Sequence, residues 1–551
     1  MGECYTVGMD LKEELSKIII GEVSDDATAL DRKARDASIF EVRPTVIVAP
    51  RDVEDVQNLV RYVAAHKGDG LSITPRAAGT DMTGGAIGES IVMEMTPHFN
   101  QIKEVGEGDA VTEPGVFYRD FEKATLAKNL LLPPYPASRE ICTVGGMVAN
   151  NSGGEKSLRY GKTEHFVAGL KVVLRDGKEY TFAPLSRLQL DLKMAQNDFE
   201  GEIYRSVYNV VEKNYDLVKR AKPDVTKNSA GYNLWSVWDR ETFDLSKLFV
   251  GSQGTLGVIT EIRFRLVKPE THSKLLVMFL RDFGKLAEIA NAVIAFKPES
   301  FESYDDNTLK IVLRYFGDLA KQMGGKNIFQ LAWAFLPEAF MVFTGGMPKL
   351  VLLAEVTGAS EEEVDAKLAQ AQKAIAPFQI RSRVTKTEDE ARKYWVMRRE
   401  SFNLLRKRVK KLCTVPFIDD FCVRPADLPK FLPELYAILN QYDLLFTVAG
   451  HVGDGNFHII PLMDLADPKT KPIIEELAQK VYTLVFKYGG SMTGEHNDGL
   501  IRGPYLKQMF GAEVFALFKE IKRIFDPDGI FNPGKKVDAS SVYAMAHIKK
   551  D

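Results

Sequence analysis

Eight histidines occur in 551 residues, and three of them, His451, His458 and His496, fall near the C-terminal end beside acidic side chains. Gly450-His-Val-Gly-Asp-Gly-Asn-Phe-His458 has the form of a hairpin, with Asp454-Gly455 as the two-residue pair that readily takes positive φ. That turn sets Gly453 opposite Asn456, Val452 opposite Phe457 and His451 opposite His458, with Val452 and Phe457 toward the core. Directly opposed residues on one sheet face have Cβ atoms about 5 Å apart, close enough for two imidazoles to share one divalent ion. Two hydrogen-bonded structural histidines beside a tight turn are the alternative. A third ligand is offered by Gly494-Glu-His-Asn-Asp-Gly499, where Glu495 and His496 adjoin in a glycine-bracketed loop. His451, His458 and Glu495 then form a two-histidine, one-carboxylate set suited to Zn²⁺, with Mn²⁺ or Fe²⁺ as alternatives and a position open for substrate. His496 is left over as a base.

The chain that must position these residues is an ordinary globular one. It is 45% apolar and its 72 basic and 75 acidic residues leave a net charge of −3, with no basic run to suggest a nucleic-acid partner. Four cysteines, Cys4, Cys142, Cys413 and Cys422, show no Cys-x-x-Cys spacing and are read as reduced and structural. Met1–Asp10 lacks the basic and apolar regions of a signal peptide, so the cytoplasmic side is the expectation.

The first 43 residues read as a helical lead-in. From Pro44 the pattern becomes α/β: an apolar strand at Thr45–Ala49, then Val53, Val56, Leu59, Val60 and Val63 at helical spacing behind Asp52 as N-cap. A second strand, Leu71–Thr74, runs into Pro75-Arg-Ala-Ala-Gly-Thr-Asp-Met-Thr-Gly-Gly85, after which the chain returns to strand at Ser90–Met95. A Rossmann fingerprint or Walker loop needs a helix behind its glycines, and here there is none. Successive backbone N–H groups can still form an anion nest for a diphosphate, aided by the hydroxyls of Thr80 and Thr83, with Gly79, Gly84 and Gly85 letting the backbone approach. Thr143–Gly154 and Gly251–Thr260 are two more segments of small residues, and three such loops imply one large cofactor.

Pro75–Gly85, Cys142–Gly154 with its Asn-Ser-Gly-Gly ending, Arg159-Tyr-Gly161 and Gly251–Thr260 together resemble, in order and spacing, the flavin-binding domain of the vanillyl-alcohol oxidase family. Gly450–His458, Gly494–Gly499 and Asn532-Pro-Gly-Lys535 resemble its D-2-hydroxy-acid branch, which includes D-lactate and D-2-hydroxyglutarate dehydrogenases and the glycolate oxidase flavin subunit. The resemblance implies an α+β fold: a two-part PCMH-type FAD-binding domain at 44–267 and a substrate domain at 268–490 with an antiparallel sheet covered by helices. A last segment, 491–551, completes the active site and returns to the FAD domain. It implies that Pro75, Arg76, Ala77, Ala78, Gly79, Thr80 and Asp81 wrap the FAD diphosphate. Gly84, Gly85, Ser138, Thr143, Gly145, Gly146, Asn150, Gly153, Gly154, Gly257, Ile259 and Asn532 would hold the rest of the flavin. The first loop has no histidine for covalent attachment, so noncovalent FAD is predicted.

Trp395-Val-Met-Arg-Arg399-Glu resembles the segment whose arginine binds the substrate carboxylate, which assigns that role to Arg399. In the D-2-hydroxyglutarate enzymes a lysine precedes an aspartate near Phe417–Pro425. Here Ile418 and Asp419 stand there, which favours a small monocarboxylate, D-lactate or glycolate, although Arg424 or Lys411 could substitute. The implied chemistry is oxidation of a D-2-hydroxy acid: His496 removes the hydroxyl proton, the metal polarises the hydroxyl and hydride passes to flavin N5. The family pattern has glycine after the Glu-His pair, and this chain has Asn497, which would narrow the pocket or alter the metal's shell.

Rival readings are a non-redox alkyl-dihydroxyacetonephosphate synthase type, which has a histidine run where this chain has Gly494-Glu-His-Asn, and a noncatalytic flavin-binding subunit. The electron acceptor is left open between quinone, an electron-transfer flavoprotein, a cytochrome and oxygen. Asn327–Pro348, rich in aromatics and interrupted by Pro337 and Gly345-Gly346, is too broken to span a bilayer. It is read as core or homodimer interface, with peripheral docking on a membrane as the alternative.

Overall fold

In the N-terminal sheet all four residues of Val46–Ala49 are buried, as a strand covered on both faces requires. Asp52 caps the following helix, Val53–Ala65, by accepting from the Asp55 N–H, and Val56, Leu59, Val60 and Val63 form its buried stripe. Strands Ile73–Arg76 and Ile91–Glu94 pair in parallel. The glycine loop at 77–90 supplies the crossover that two parallel strands need, and it does so without a helix.

The structure, a computed structural model, describes residues 11–314, 346–408 and 412–550. Most of the Asn327–Pro348 segment, and Lys411, lie outside the described residues. The lead-in is more than helical. It places strand Glu22–Ser24 antiparallel to Val46–Ala49, so its end belongs to the sheet that carries the glycine loop. The second part of the flavin half is a five-stranded antiparallel sheet, in the order 102–105, 109–112, 258–265, 167–173 and 179–182.

The C-terminal half holds an eight-stranded antiparallel sheet among the described residues. Alternate side chains of its central strands point to opposite faces. Leu276, Met278, Leu352 and Ala354 join the main core, while Leu275, Val277, Val351 and Leu353 pack with Tyr394 and Met397 of helix Glu388–Arg408. That helix lays Trp395, Arg398 and Arg399 over the face from which the histidines project. Near the end of the chain, Ile73 donates to the Ile530 carbonyl and Asn532 to the Ile73 carbonyl, which returns the chain to the first sheet.

The hairpin has a different register from the one predicted. Strands Leu445–His451 and Asn456–Met463 pair His451 with Asn456 and Ala449 with His458, and a 3₁₀ turn at Val452–Asp454 ends on Gly455 at φ +67°. The longer turn is set by what it packs against. The Asp454 carbonyl accepts from Thr226 Oγ1, and a Cβ on Gly455 would lie 1.7 Å from the Val423 carbonyl oxygen. Val452 and Phe457 are fully buried, as expected.

Candidate functional site

The altered register does not separate the histidines. His451 and His458 are diagonal neighbours on one sheet face, with ring centroids 5.3 Å apart and ring planes nearly perpendicular. The loop after helix Thr470–Lys487 brings His496 into line, its ring stacked 5.1 Å from that of His458. Three Nε2 atoms converge on one oxygen, Glu495 Oε1, at 3.2 Å from His451, 3.5 Å from His458 and 4.0 Å from His496.

Each Nδ1 has a carboxylate behind it, hydrogen-bonded for His451 and His458 and at charge-contact distance for His496. Glu302 holds His451 at 2.6 Å, and Asp419 reaches His458 at 2.9 Å and His496 at 2.8 Å. Such partners fix the ring's orientation and tautomer and raise its basicity toward a metal. Asp420 fixes the loop itself, accepting from the backbone N–H of Glu495 and His496 and from Thr493 Oγ1. Ligand atoms of Asp420, His458, Glu495 and His496 lie within 4.8 Å of one another. The Asp420 oxygens are engaged by backbone N–H groups, which suits a positioning role. His451, outside that cluster, points its Nε2 at the same Glu495 oxygen, so that His451, His458 and Glu495 could hold an ion between them. The set fits a borderline divalent ion: imidazole nitrogens and a carboxylate oxygen converge, with oriented partners behind them.

The acids leave the imidazoles strongly basic. Burial opposes charge on His458, but Asp419 and Glu495 outweigh it and raise the group to about 10. Burial likewise works against the ionised Glu302, yet His451 and Arg398 bring it down to about 2. Of the three imidazoles His496 is the most open, at 22% side-chain exposure against 8% for His451 and 14% for His458.

These side chains form one end of a cavity of about 640 Å³ whose other walls are the glycine-rich loops. Pro75 through Asp81, Gly85, Ser138, Thr143, Gly145, Gly146, Asn150, Gly153, Gly257 and Ile259 all line it. The N–H groups of Ala77, Ala78, Gly79 and Thr80 make no hydrogen bond to any described residue, which suits a diphosphate on that wall. A Cβ on Gly146 would meet only Thr143 Oγ1 at 3.4 Å and Ala77 at 3.8 Å. The space beside it is that of the cavity.

Some expected flavin contacts are structural instead. The Arg76 guanidinium donates through Nη1 and Nη2 to the carbonyls of Lys33, Arg35 and Ala86, so it clamps the lead-in to the loop, and of its nitrogens only Nε is left without a partner. The Asp81 carboxylate is consumed by the Thr83 and Gly85 N–H groups and by Asn150 Nδ2. Gly84, Gly154 and Asn532 do not line the cavity. Gly84 lies against Phe40 and Leu500, Gly154 against the Tyr135 carbonyl, and Asn532 donates to the Gly85 and Gln253 carbonyls.

Arg399 lines the cavity, but Glu155 already grips it with both oxygens, at 2.6 and 2.7 Å, and its guanidinium stacks on Trp395. Arg398 lies deeper, at 3.1 Å from Glu302, and its Nε has no acceptor. Arg424 is half exposed and paired with Asp427 and Asp224 outside the cavity, so it does not reach a substrate. Asn497 does not narrow the pocket. It adopts φ +71°, where glycine is favoured and asparagine tolerated, and turns its amide away to the carbonyls of Asn150 and Gly251. Glu302, Lys227 and the bridging role of Asp419 were not visible in the sequence. Glu302 stands in strand Ser300–Asp305, whose polar sequence gives no hint that every residue of it is buried.

Residues 44–183 match the family described as an FAD binding domain, and residues 269–536 match the FAD linked oxidases, C-terminal domain. The chain is 29% identical over 535 residues to D-2-hydroxyglutarate dehydrogenase of Escherichia coli, a match covering 94% of this chain and 50% of that protein. It spans about half the length of that curated relative. It is also 28% identical over 537 residues to glycolate oxidase subunit GlcD of Bacillus subtilis, covering 96% of each chain. Among solved structures, 4-ethylphenol oxidase from Gulosibacter chungangensis shares the fold, with a TM-score of 0.68 and 15% identity, over 96% of this chain and 97% of that one.

Proposed function

The chain belongs to the FAD-linked oxidases, and on that premise we propose that it oxidises a small D-2-hydroxy acid to the 2-oxo acid with the help of a divalent metal at His451, His458 and Glu495. The reading rests on one observation: three imidazole Nε2 atoms and Glu495 Oε1 converge in the same cavity as the glycine-rich loops. FAD, when bound, supplies the oxidant that takes the hydride from C2. The metal, when bound, supplies Lewis acidity that lowers the pKa of the substrate hydroxyl.

The remaining work falls to the chain's own side chains. Asp419 Oδ2 lies 2.8 Å from His496 Nδ1 as a charge contact, and His496 Nε2 is the ring nitrogen left to accept the hydroxyl proton. A dication nearby disfavours imidazolium, so a loaded site keeps His496 neutral and able to act as base near neutral pH. The arginine pair holds the substrate carboxylate: Arg399, which resemblance pointed to, must exchange Glu155 for substrate, whereas Arg398 Nε is free of any acceptor. A guanidinium suits that task because it donates two parallel hydrogen bonds to a planar carboxylate. The cavity's inner wall beside His458 is built of Thr447, Ala449 and Ile460, small and apolar enough for a short chain such as D-lactate. Glycolate and D-2-hydroxyglutarate stand beside it as substrates for which relatives are named.

Anaerobic mixing of the flavin-loaded protein with D- and L-2-hydroxy acids, before and after chelator treatment, tests the proposal. A D-acid should bleach the flavin, its L-enantiomer should not, and chelator should suppress the reaction. Bleaching by neither series would remove the assignment. Acid precipitation should release the yellow colour into the supernatant, and colour retained in the pellet would refute noncovalent attachment.

A further inference from the structure

The carboxylate at the centre of the metal site is divided between two kinds of partner. Glu495 Oε1 faces the imidazoles, while Oε2 lies 3.0 Å from Lys227 Nζ. Lys227 comes from a loop far away in sequence and is 1% exposed. Its ammonium also lies 3.4 Å from Asp454 Oδ2 and donates to Asn456 Oδ1 at 3.4 Å and to the Gly154 carbonyl at 3.3 Å. Asp454 Oδ2 is buried with no hydrogen-bond partner, so this lysine is what compensates its charge. The ammonium therefore touches the flavin half through Gly154, the histidine hairpin through Asp454 and Asn456, and the loop ligand through Glu495.

We propose that Lys227 is a positioning residue that reserves Glu495 Oε2, so that Glu495 ligates the metal through Oε1 alone and one coordination position stays open for substrate. This rests on the metal site of the proposed function. A carboxylate free to rotate can chelate an ion with both oxygens, which fills a position and adds negative charge. A catalytic metal needs that position vacant. An ammonium at hydrogen-bond distance of Oε2 opposes chelation by directing that oxygen away from the imidazoles and by repelling an ion that moves toward it. The same contact holds the carboxylate among three histidines before any ion arrives.

The test uses the full-length, flavin-loaded protein stripped of metal. Zn²⁺ titrations would compare wild type with Lys227→Met, which removes the charge, Lys227→Gln, which keeps a donor, and Lys227→Arg, which keeps the charge. Lys227→Met should bind Zn²⁺ at least tenfold more tightly, because a nearby cation is gone and a second oxygen is free, and substrate should no longer perturb the visible spectrum of its Co²⁺ form. Lys227→Arg should stay within about threefold of wild type. Zn²⁺ binding to Lys227→Met that is unchanged or weaker overturns the proposal. Should the neutral variants not fold, a crystal structure of the Zn²⁺-loaded wild-type protein decides directly: one Glu495 oxygen on the metal with Lys227 on the other supports the proposal, and two oxygens on the metal overturn it. Failure of wild type to take up Zn²⁺, Mn²⁺ or Fe²⁺ at all instead removes the metal reading itself, and this inference with it.

Discussion

At the scale of single residues the site separates acids that orient from bases that react. We predict that His496→Ala abolishes flavin reduction while flavin stays bound, since the ring faces the cavity and anchors no loop; rapid anaerobic reduction in that variant would remove it from the base role. Asp419 acts through two imidazoles at once. Asp419→Ala should therefore weaken metal binding about 10- to 100-fold, a range typical of lost ligand-orienting partners, and equilibrium dialysis that showed wild-type affinity would contradict it. The arginines can be told apart by kinetics. Arg398→Met should raise KM about 10-fold or more, because the unpartnered Nε can give the substrate a charge-assisted hydrogen bond worth about 1.5–3 kcal/mol, whereas Arg399→Met should do less because both oxygens of Glu155 already occupy it. The reverse order would return the role to Arg399.

At the scale of elements, two glycines of the same segment do opposite work. Gly146 borders the cavity, so Gly146→Val should fold with a near-native melting temperature yet fail to retain FAD. At Gly154 a Cβ would stand 2.0 Å from the Tyr135 carbonyl oxygen, so Gly154→Ala should lower stability by about 1–3 kcal/mol whether or not flavin is present. Equal flavin loss with equal melting temperatures in both variants would show that the distinction is wrong. The histidine hairpin was legible as a hairpin because Asp454-Gly455 is a strong turn pair and His451 and His458 alternate with apolar neighbours. Its register was not. A two-residue turn would satisfy local preferences, but the longer one brings the Asp454 carboxylate to Lys227 and the Asp454 carbonyl to Thr226, contacts that no local pattern encodes.

At the scale of the whole molecule, the flavin half meets the substrate sheet through helix Ser157–Tyr160 and its flanks: Arg159 donates to Thr357, Tyr160 to Glu299, and Lys156 pairs with Glu299 at 3.0 Å. Glu355 lies at this junction. Burial and the neighbouring Glu299 push it up from 4.5 to about 7. The folded chain alone holds that proton between those values, so this group's contribution to stability falls as pH rises through the window and its cost is full above pH 7. Glu355→Gln should thus be more stable than wild type at pH 8, by on the order of 1 kcal/mol, with a smaller gain at pH 5. Melting curves showing the same difference at both pH values would exclude this origin. Among the described residues no helix is long and apolar enough to cross a membrane.

The sequence by itself pointed to one large cofactor, which the resemblance made FAD, and to a cluster of histidines beside Glu495. Three runs of small residues, a loop between strands with no helix behind it, and histidines beside Glu495 are all local patterns, and local patterns survive without knowledge of packing. It also pointed to the antiparallel sheet, through the resemblance those motifs carry. Only the tertiary structure decided which of these residues face the cavity. The resemblance sets Arg76 and Asp81 on the cofactor, yet two of the Arg76 guanidinium nitrogens are engaged by backbone carbonyls and the Asp81 carboxylate by the loop's own N–H groups. Asn497, two residues after Glu495, takes a left-handed backbone conformation and donates its amide to the Asn150 and Gly251 carbonyls, away from the cavity. Glu302, Asp419 and Lys227 come from separate stretches of the chain, and their proximity to the imidazoles is a product of strand order and of contact between the two halves. A buried charge is held by whatever opposite charge the fold brings beside it, and distance along the chain carries no information about that partner.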